Sequence, residues 1–320
     1  MKAIVVKDFG APEVMNLEEI ETPEPNEDQV LVRVKAAGVN PVDTYIRTGT
    51  YAQKPDLPYT PGKDAAGIIE KTGGNVTKLA VGDRVLTADA GSGTYAEFCV
   101  CEEKHLIKLP GNVSFEQGAG VFVPYATAYR ALFQKAKVQA GETVLIHGAS
   151  GGVGTAAIQW AKNADLTVIG TAGSEEGKRL VKEQGADFVF DHSRENYLNE
   201  ILEATNGKGV EIIVEMLANV NLVKDFDVLA KFGRIVVVGN RGSLEFNPRL
   251  TMGKDASIHG LALFNAPPDE MREIHEAIFD GLSKGFLNPI VGKRFALADA
   301  VKAHHEVIES KALGKIVLEI

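Results

Sequence analysis

Hydrophobic positions along the chain follow two rhythms, and the change falls at about Pro124. Upstream, apolar residues recur at strand period: Val30, Val32 and Val34 alternate with Leu31, Arg33 and Lys35, and residues 66–70 and 83–87 are short runs bounded by glycine turns. Several short strands predict a barrel-like unit. The segment 39–47 interrupts it, with Pro41 near the start of one or two helical turns that present a polar cluster. A loop from Tyr51 to Asp64 follows, stiffened by Pro55, Pro58 and Pro61 and suited to the wall of a cleft.

Downstream, helix and strand alternate. Residues 125–133 read as a helix, 144–147 as a strand, 167–170 as another, and 174–184 as a helix with Ser174 as N-cap and Gly185 as stop. Strands recur at 188–190, 212–214, 235–238 and 258–264. Six parallel strands with crossover helices make a doubly wound Rossmann sheet, which takes ligand at the strands' carboxyl ends. Beyond about 265 the alternation stops: Met271, Ile274, His275, Ile278 and Leu282 fall at helical spacing, and a helix near 299–310 precedes a last strand at 315–318. That strand has no crossover partner and is expected in the first domain's sheet. The predicted α/β chain thus has one domain from 1–123 and 266–320 and another from 124–265, with the cleft between them crossed twice.

The run Val144-Leu145-Ile146-His147-Gly148-Ala149-Ser150-Gly151-Gly152-Val153-Gly154 holds the first candidate chemistry. A buried strand enters a turn too tight for side chains, and the helix that follows turns its unpaired N–H groups toward any phosphate bound there. Glycines at 148, 151 and 154 make a variant of the dinucleotide fingerprint. Alone that spacing is weak; its place in a β/α series strengthens it.

Composition narrows the function classes. With 320 residues, 45% of them hydrophobic, the chain can bury a large core, and a net charge of −9 argues against nucleic acid or an anionic membrane as partner. No apolar run approaches the roughly 18 residues of a membrane span. The two cysteines, Cys99 and Cys101, are expected on opposite faces of a strand, which argues against a disulfide, and the chain reads as cytoplasmic.

The segments Gly38 to Arg47, Pro58-Tyr59-Thr60-Pro61-Gly62, Gly148 to Gly154, Glu215 to Asn221 and Val238 to Gly242 together resemble the zeta-crystallin-type quinone oxidoreductases of the medium-chain dehydrogenase/reductase superfamily. The resemblance runs over essentially the whole chain. It implies a GroES-like β-barrel catalytic domain, a Rossmann domain, NADPH as reductant, a quinone as acceptor and a homodimer or homotetramer. Carried over by position, the cofactor contacts are Tyr45, Ser150, Gly151, Gly152, Val153, Gly173, His192, Asn221, Val238, Gly239, Asn240 and Arg241. The exposed edge of 258–264 is a surface that a second copy could pair with.

Cofactor choice has a separate argument. NAD sites place a carboxylate about 20 residues beyond the glycine turn, whereas here the strand ends Gly170-Thr171-Ala172-Gly173. Without that acid a 2′-phosphate is admitted, and Lys178, Arg179 or Arg241 can supply charge, although Glu175 and Glu176 lie close by in sequence. Zinc-dependent relatives place a cysteine where Asn40 stands and a His-Glu pair where Lys63 and Asp64 stand, so no zinc is expected. The pair His304-His305 is expected on a helix surface rather than at a metal. A quinone spreads incoming charge over a conjugated ring, so the protein need only position reactants and donate hydrogen bonds. Asn40, Tyr45 and Tyr51 are the catalytic candidates, with Arg47 and Tyr59 near them. A metal-free enone or alkenal reductase is the alternative enzyme. An RNA-binding or crystallin-like protein that holds NADPH is the alternative of another class, against which the negative charge counts.

Overall fold

The computed structural model describes residues 1–311 and 313–320. In chain order the strands are β1 (Lys2–Val6), β2 (Met15–Glu19), β3 (Gln29–Val39), β4 (Asp64–Thr72), β5 (Arg84–Thr87), β6 (Phe98–Glu102), β7 (Leu106–Lys108), β8 (Thr143–Ile146), β9 (Thr167–Thr171), β10 (Phe188–Phe190), β11 (Val210–Glu215), β12 (Leu229–Val237), β13 (Ser257–Gly260), β14 (Val291–Ala296) and β15 (Lys315–Glu319). The helices are α1 (Pro41–Arg47), α2 (Phe115–Ala119), α3 (Phe122–Tyr129), α4 (Gly152–Asn163), α5 (Glu175–Glu183), α6 (Tyr197–Ala204), α7 (Ala218–Val228), α8 (Arg249–Lys254), α9 (Pro268–Lys284) and α10 (Ala300–Glu309).

Two compact units result. The first joins Met1–Val123 to Phe279–Ser310 and Gly314–Ile320; the second is Pro124–Ile278 with Lys311 and Leu313. The chain re-enters the first unit inside α9 and not at 266, because that helix is continuous from Pro268 and carries its first turns with the second unit.

In the first unit a seven-stranded sheet runs β14-β15-β3-β4-β5-β7, with β6 also paired to β3. β15 pairs antiparallel with β3, Val317 opposite Gly38, so the last strand returns to this sheet as its missing crossover required. Along β3 Val30, Val32 and Val34 point into a core with Ile4, Ile69, Val85 and Leu318. Leu31 on the other face is buried too, at 2% exposure, so both faces of this central strand are covered. Cys99 and Cys101 are buried, free and 4.0 Å apart through their sulfurs. They share a face of β6, since residues two apart in a strand point the same way; the expectation of opposite faces was wrong.

In the second unit six strands lie in the order β10-β9-β8-β11-β12-β13, all parallel. That is the doubly wound order: β9 and β10 are added on one side of β8, and β11, β12 and β13 on the other, so the switch point lies between β8 and β11. The inner strands read as near-continuous apolar runs because helices cover both faces. Val144, Leu145, Ile146, Ile212, Ile213 and Val214 are each 0% exposed. Ser174 caps α5 by accepting from Gly177 N at 3.1 Å, and Gly185 takes φ +104° just beyond it, both as the sequence predicts. The edge strand is shorter than the predicted 258–264: β13 stops at Gly260 and Leu263–Asn265 form a 3-10 turn. Helix α3 continues as a π-helical stretch, Arg130–Lys135. None of the described helices is long and apolar enough to cross a membrane.

Candidate active site

Every dinucleotide residue named from the sequence in the second unit follows the carboxyl end of a parallel strand. After β8 the chain turns at Gly148, φ +56°, and α4 begins with Gly151 as its N-cap. The turn is held by Gly151 N donating to Gly148 O at 3.0 Å and Ala149 N donating to Thr171 O at 2.9 Å. A Cβ on Gly154 would stand 2.5 Å from Ala149 Cα and from Gly148 O, so only glycine lets the helix start this close to its strand. Ser150 is buried, whereas Gly151, Gly152 and Val153 are partly exposed at the mouth of the helix. Twelve residues of helix stand behind that turn, a ready site for a pyrophosphate.

After β9, Gly173 faces His192, whose Nε2 would lie 2.8 Å from any Cβ there. Lys178 Nζ sits 2.6 Å from Glu175 and 3.5 Å from Asp191, so its charge at this edge is shared with two carboxylates. Sequence reasoning missed Lys311, whose ammonium donates to Gly173 O at 2.7 Å and brings a second cation to the same place. After β11 and β12 the two loops are knitted together. Asn219 N donates to Asn240 Oδ1, and Arg241 N donates to Asn219 Oδ1, each at 3.0 Å. Ala218 N donates to Gly239 O at 3.0 Å, while Val238 N and Gly239 N both donate to Glu215 O. Asn221, Val238, Gly239, Asn240 and Arg241 therefore form one wall. The glycine turn at a helix N-terminus, the cations at the Gly173 corner and the polar groups of this wall are of the chemistry a dinucleotide requires.

Behind the wall lies a buried cluster that the sequence reading did not single out. His147 Nε2 lies 2.9 Å from Asp225 Oδ1 and 3.6 Å from Glu215 Oε2, all three side chains being buried. Glu215 Oε1 accepts from Leu217 N and from Asn221 Nδ2, the latter at 3.2 Å. Burial pushes the Glu215 carboxyl up to about 7, against the pull of the His147 charge. Burial works against an imidazolium at His147 as well, but the Asp225 hydrogen bond and both carboxylates outweigh it and the net direction is upward. Isolated charges in the sequence flag the cluster: Glu215 ends an apolar strand and Asp225 lies in an otherwise buried helix face.

In the first unit, Asn40 caps α1, its N–H donating to Asp43 Oδ2 at 2.8 Å. Its side chain is 2% exposed and fully engaged: Nδ2 donates to Asp64 Oδ2 at 3.0 Å, and Oδ1 accepts from the Lys315 ammonium. Lys315 Nζ also lies 3.1 Å from Asp64 Oδ2, and Asp64 Oδ1 accepts from Val123 N at 3.0 Å. A cation is thus already present between Asn40 and Asp64. Lys63, the neighbour of Asp64, turns to Asp89 at 2.7 Å. An amide, a carboxylate and an ammonium do not fit zinc, which takes thiolate or imidazole donors and would be repelled by the lysine. Tyr45 and Tyr51 are half-buried and adjacent, Tyr51 N donating to Tyr45 O at 3.2 Å, and their hydroxyls make no hydrogen bond among the described residues. Tyr59 differs: its hydroxyl is buried with no hydrogen-bond partner among the described residues, and burial raises its ionisation far above the ordinary tyrosine value.

His304 is a correction. It is 1% exposed, whereas its neighbour His305 is on the surface between Glu13 and Glu309. His304 Nδ1 accepts from Arg47 Nη1 at 2.9 Å, and its Nε2 lies 3.2 Å from Tyr95 OH, which donates to Asp43 Oδ2 at 3.2 Å. This buried chain fixes α1, and hence Tyr45, to α10. Burial, aided by the Arg47 charge, holds the His304 imidazole down to about 3. Below its ordinary value of 6.5 the unfolded chain takes up a proton that the folded one refuses, so this group removes stability as pH falls toward 3. Asp43, raised to about 6 by burial against its Asn40 hydrogen bond, acts oppositely over part of the range, so the comparison must be made between variants. His304→Gln is expected to lose less stability than the wild type between pH 7 and pH 4.5, read as the change in urea midpoint; equal changes would contradict it.

Two family models match the chain: "Alcohol dehydrogenase GroES-like domain" over residues 26–111 and "Zinc-binding dehydrogenase" over residues 152–280. A quinone oxidoreductase of Homo sapiens is 48% identical over 320 residues, covering 99% of this chain and 97% of that one. The solved structure of a quinone oxidoreductase of Escherichia coli complexed with NADPH is similar with a TM-score of 0.91 and 30% identity, covering 100% of both chains. A solved NAD-dependent alcohol dehydrogenase is as similar in fold, with a TM-score of 0.92 and 30% identity over 100% of both chains. Fold therefore does not separate the two chemistries, and the side chains around Asn40 must.

Proposed function

The chain belongs to the quinone oxidoreductases of the medium-chain dehydrogenase/reductase superfamily, and from that premise we propose that its own side chains, without a metal, carry reducing equivalents from NADPH to a conjugated acceptor. It is an NADPH-dependent quinone reductase. The observation that supports the metal-free reading is the Lys315 ammonium held by Asn40 and Asp64, which puts a cation and no thiolate or imidazole at the place where zinc-dependent relatives carry their ligands. NADPH, when bound, supplies the reducing equivalents. Ser150, Gly151, Gly152 and Val153 would take its pyrophosphate; Gly173, Lys178 and His192, with Lys311, its 2′-phosphorylated ribose; Asn221, Val238, Gly239, Asn240 and Arg241 its nicotinamide half.

Charge grows on the acceptor's oxygens as it is reduced, and a hydroxyl that donates there stabilises the change. Tyr45 and Tyr51 are proposed for that task. Asn40, with both ends of its amide occupied, acts as a positioning residue that fixes the start of α1. Ortho-quinones are the favoured substrates and alkenals the alternative; NADPH oxidation against a panel of both, with and without EDTA, tests the reading. Turnover with quinones undiminished by EDTA is expected, and activity that EDTA abolishes would overturn it. Tyr45→Phe is expected to lower kcat/KM for the quinone on the order of tenfold, below the roughly 10²–10³ of a fully preorganised donor, because water can take the hydroxyl's place.

Assembly and compartment belong to the same reading. β13 is an edge strand whose Ile258 is 37% exposed, with Met252 nearby in sequence at 73%, and a second copy pairing along it would give a homodimer or a tetramer built from dimers. Light scattering should give at least twice the monomer mass, and Ile258→Lys should reduce it; a monomeric wild type would contradict the assignment. Two buried reduced thiols 4.0 Å apart suit the cytoplasm.

A further inference from the structure

The cluster of His147, Glu215 and Asp225 has no part in the chemistry above, yet it touches three of the loops proposed to hold the dinucleotide. His147 is the residue between β8 and the glycine turn, and its Nδ1 lies 3.4 Å from the hydroxyl of Thr171, which ends β9 two residues before Gly173. Glu215 ends β11; its carboxylate accepts from Leu217 N and Asn221 Nδ2, and its carbonyl accepts from Val238 N at 2.8 Å and Gly239 N at 3.2 Å. One residue thereby joins both loops of the nicotinamide wall. Asp225 anchors the cluster to α7.

The cluster is also one positive group short. One imidazole nitrogen faces two buried carboxylates, and Glu215 Oε2 and Asp225 Oδ2 are both buried with no hydrogen-bond partner among the described residues. Such oxygens are costly to leave unpaired in a protein interior. A proton on Glu215 Oε2 removes the surplus charge and turns that oxygen into a donor toward the aspartate. The other groups facing Glu215 do not do this: Asn221 on α7 already donates to Oε1, and Tyr197 on α6 is held neutral, burial and the two carboxylates raising it to about 12. His192, beyond His147, is biased toward the neutral form, first by burial and then by the His147 charge.

We propose that His147, Glu215 and Asp225 are positioning residues for the dinucleotide edge, that they hold its loops in register around one shared proton, and that NADPH binds together with uptake of that proton. The proposal rests on the reading of this edge as the NADPH site. The physical reason is electrostatic. A phosphate-bearing ligand arriving in front of the cluster raises the energy of two ionised carboxylates behind it, so the protonated, neutral form is the one that binds. Since burial already sets Glu215 to about 7, the free protein is divided between the two forms near neutrality. Affinity is then highest below pH 7 and declines above it. A tenfold preference of NADPH for the protonated form produces about a tenfold loss of affinity across pH 6 to 8.5.

Titration calorimetry of the full chain with NADPH at pH 7.5, in buffers of differing ionisation enthalpy, counts the protons taken up. Comparison with Glu215→Gln cancels the titration of the ligand's own 2′-phosphate, because both proteins meet the same ligand. Glu215→Gln keeps the acceptor for Leu217 and Asn221 and replaces the acid proton with a permanent N–H. Wild type is expected to take up a measurable fraction of a proton more than this variant, and its KM for NADPH should rise relative to the variant's above pH 7, with kcat at saturating NADPH unchanged within twofold. If Glu215→Gln fails to fold, Asp225→Asn serves: it leaves one carboxylate for one imidazolium and should likewise abolish the extra uptake. Equal proton uptake in wild type and variant overturns the proposal, as does one equivalent of tightly bound divalent metal that disappears in Glu215→Gln. A wild type that binds no NADPH at all overturns the reading beneath it, and is distinguishable because no heat of binding appears in any buffer.

Discussion

Gly239→Ala is expected to raise the KM for NADPH by about 10²-fold with a folded, soluble protein retained, measured by steady-state oxidation of NADPH at saturating quinone. A Cβ at this position would lie 2.2 Å from Met216 O and 3.0 Å from Met216 C, both backbone atoms with no side-chain freedom to yield. The two loops that follow β11 and β12 must therefore separate. Gly239 contributes hydrogen bonds in both directions across that junction, to Glu215 O and from Ala218 N. A shift on the order of 1 Å in groups that orient a reactant is enough for a loss of this size. The substitution is confined to the rim, since β11 and β12 keep their register from Ile212/Arg234 to Glu215/Val237. A KM within threefold of wild type would show that the wall formed by 238–241 does not hold the cofactor.

The second large effect concerns stability. Lys315→Met is expected to destabilise the protein by about 3–5 kcal/mol, because removing one partner strands a buried charge that the other cannot shed into water. Asp64 is 0% exposed and Lys315 5%, and the ammonium also carries Asn40 Oδ1, so the cap of α1 loosens with it. The double variant Asp64→Asn/Lys315→Met is expected to recover most of the loss, since an amide at 64 can still accept from Val123 N and no net charge remains below the surface. Chemical denaturation of the two single variants and the double variant gives the coupling energy. Additive losses would mean that the pair is not the reason for burying either residue. Added zinc is not expected to stabilise the wild type.

The order of elements was legible because both periodicities are local. The β-branched apolar runs at 144–146 and 212–214 read as buried strands of a β/α series, and Ser174 as N-cap with Gly185 as stop mark the ends of one helix. The strand at 315–318 was assigned to the first sheet from topology alone, and it pairs with β3 as expected. The glycine turn was legible for the same reason. What stayed hidden were contacts between segments far apart in the chain. Lys315 read as the polar start of a strand, but its charge is 275 residues from the Asn40 that it holds. His304 read as a surface residue of an amphipathic helix, although it meets Arg47 across 257 positions. Asn40 was expected to serve the acceptor with an amide that neighbours already occupy. In each case only the location of a partner far away in the chain gives the residue its meaning.

The distribution of two rare residue types lets the halves of this protein be followed separately. Both cysteines lie in β6 of the first unit at no more than 1% exposure, and the single tryptophan, Trp160, lies in α4 of the second at 3%. Thiol-labelling rates thus time the opening of one half, while indole emission reports melting of the other, with no engineered probe. A ligand that binds only the second half should slow the change in emission more than it slows alkylation.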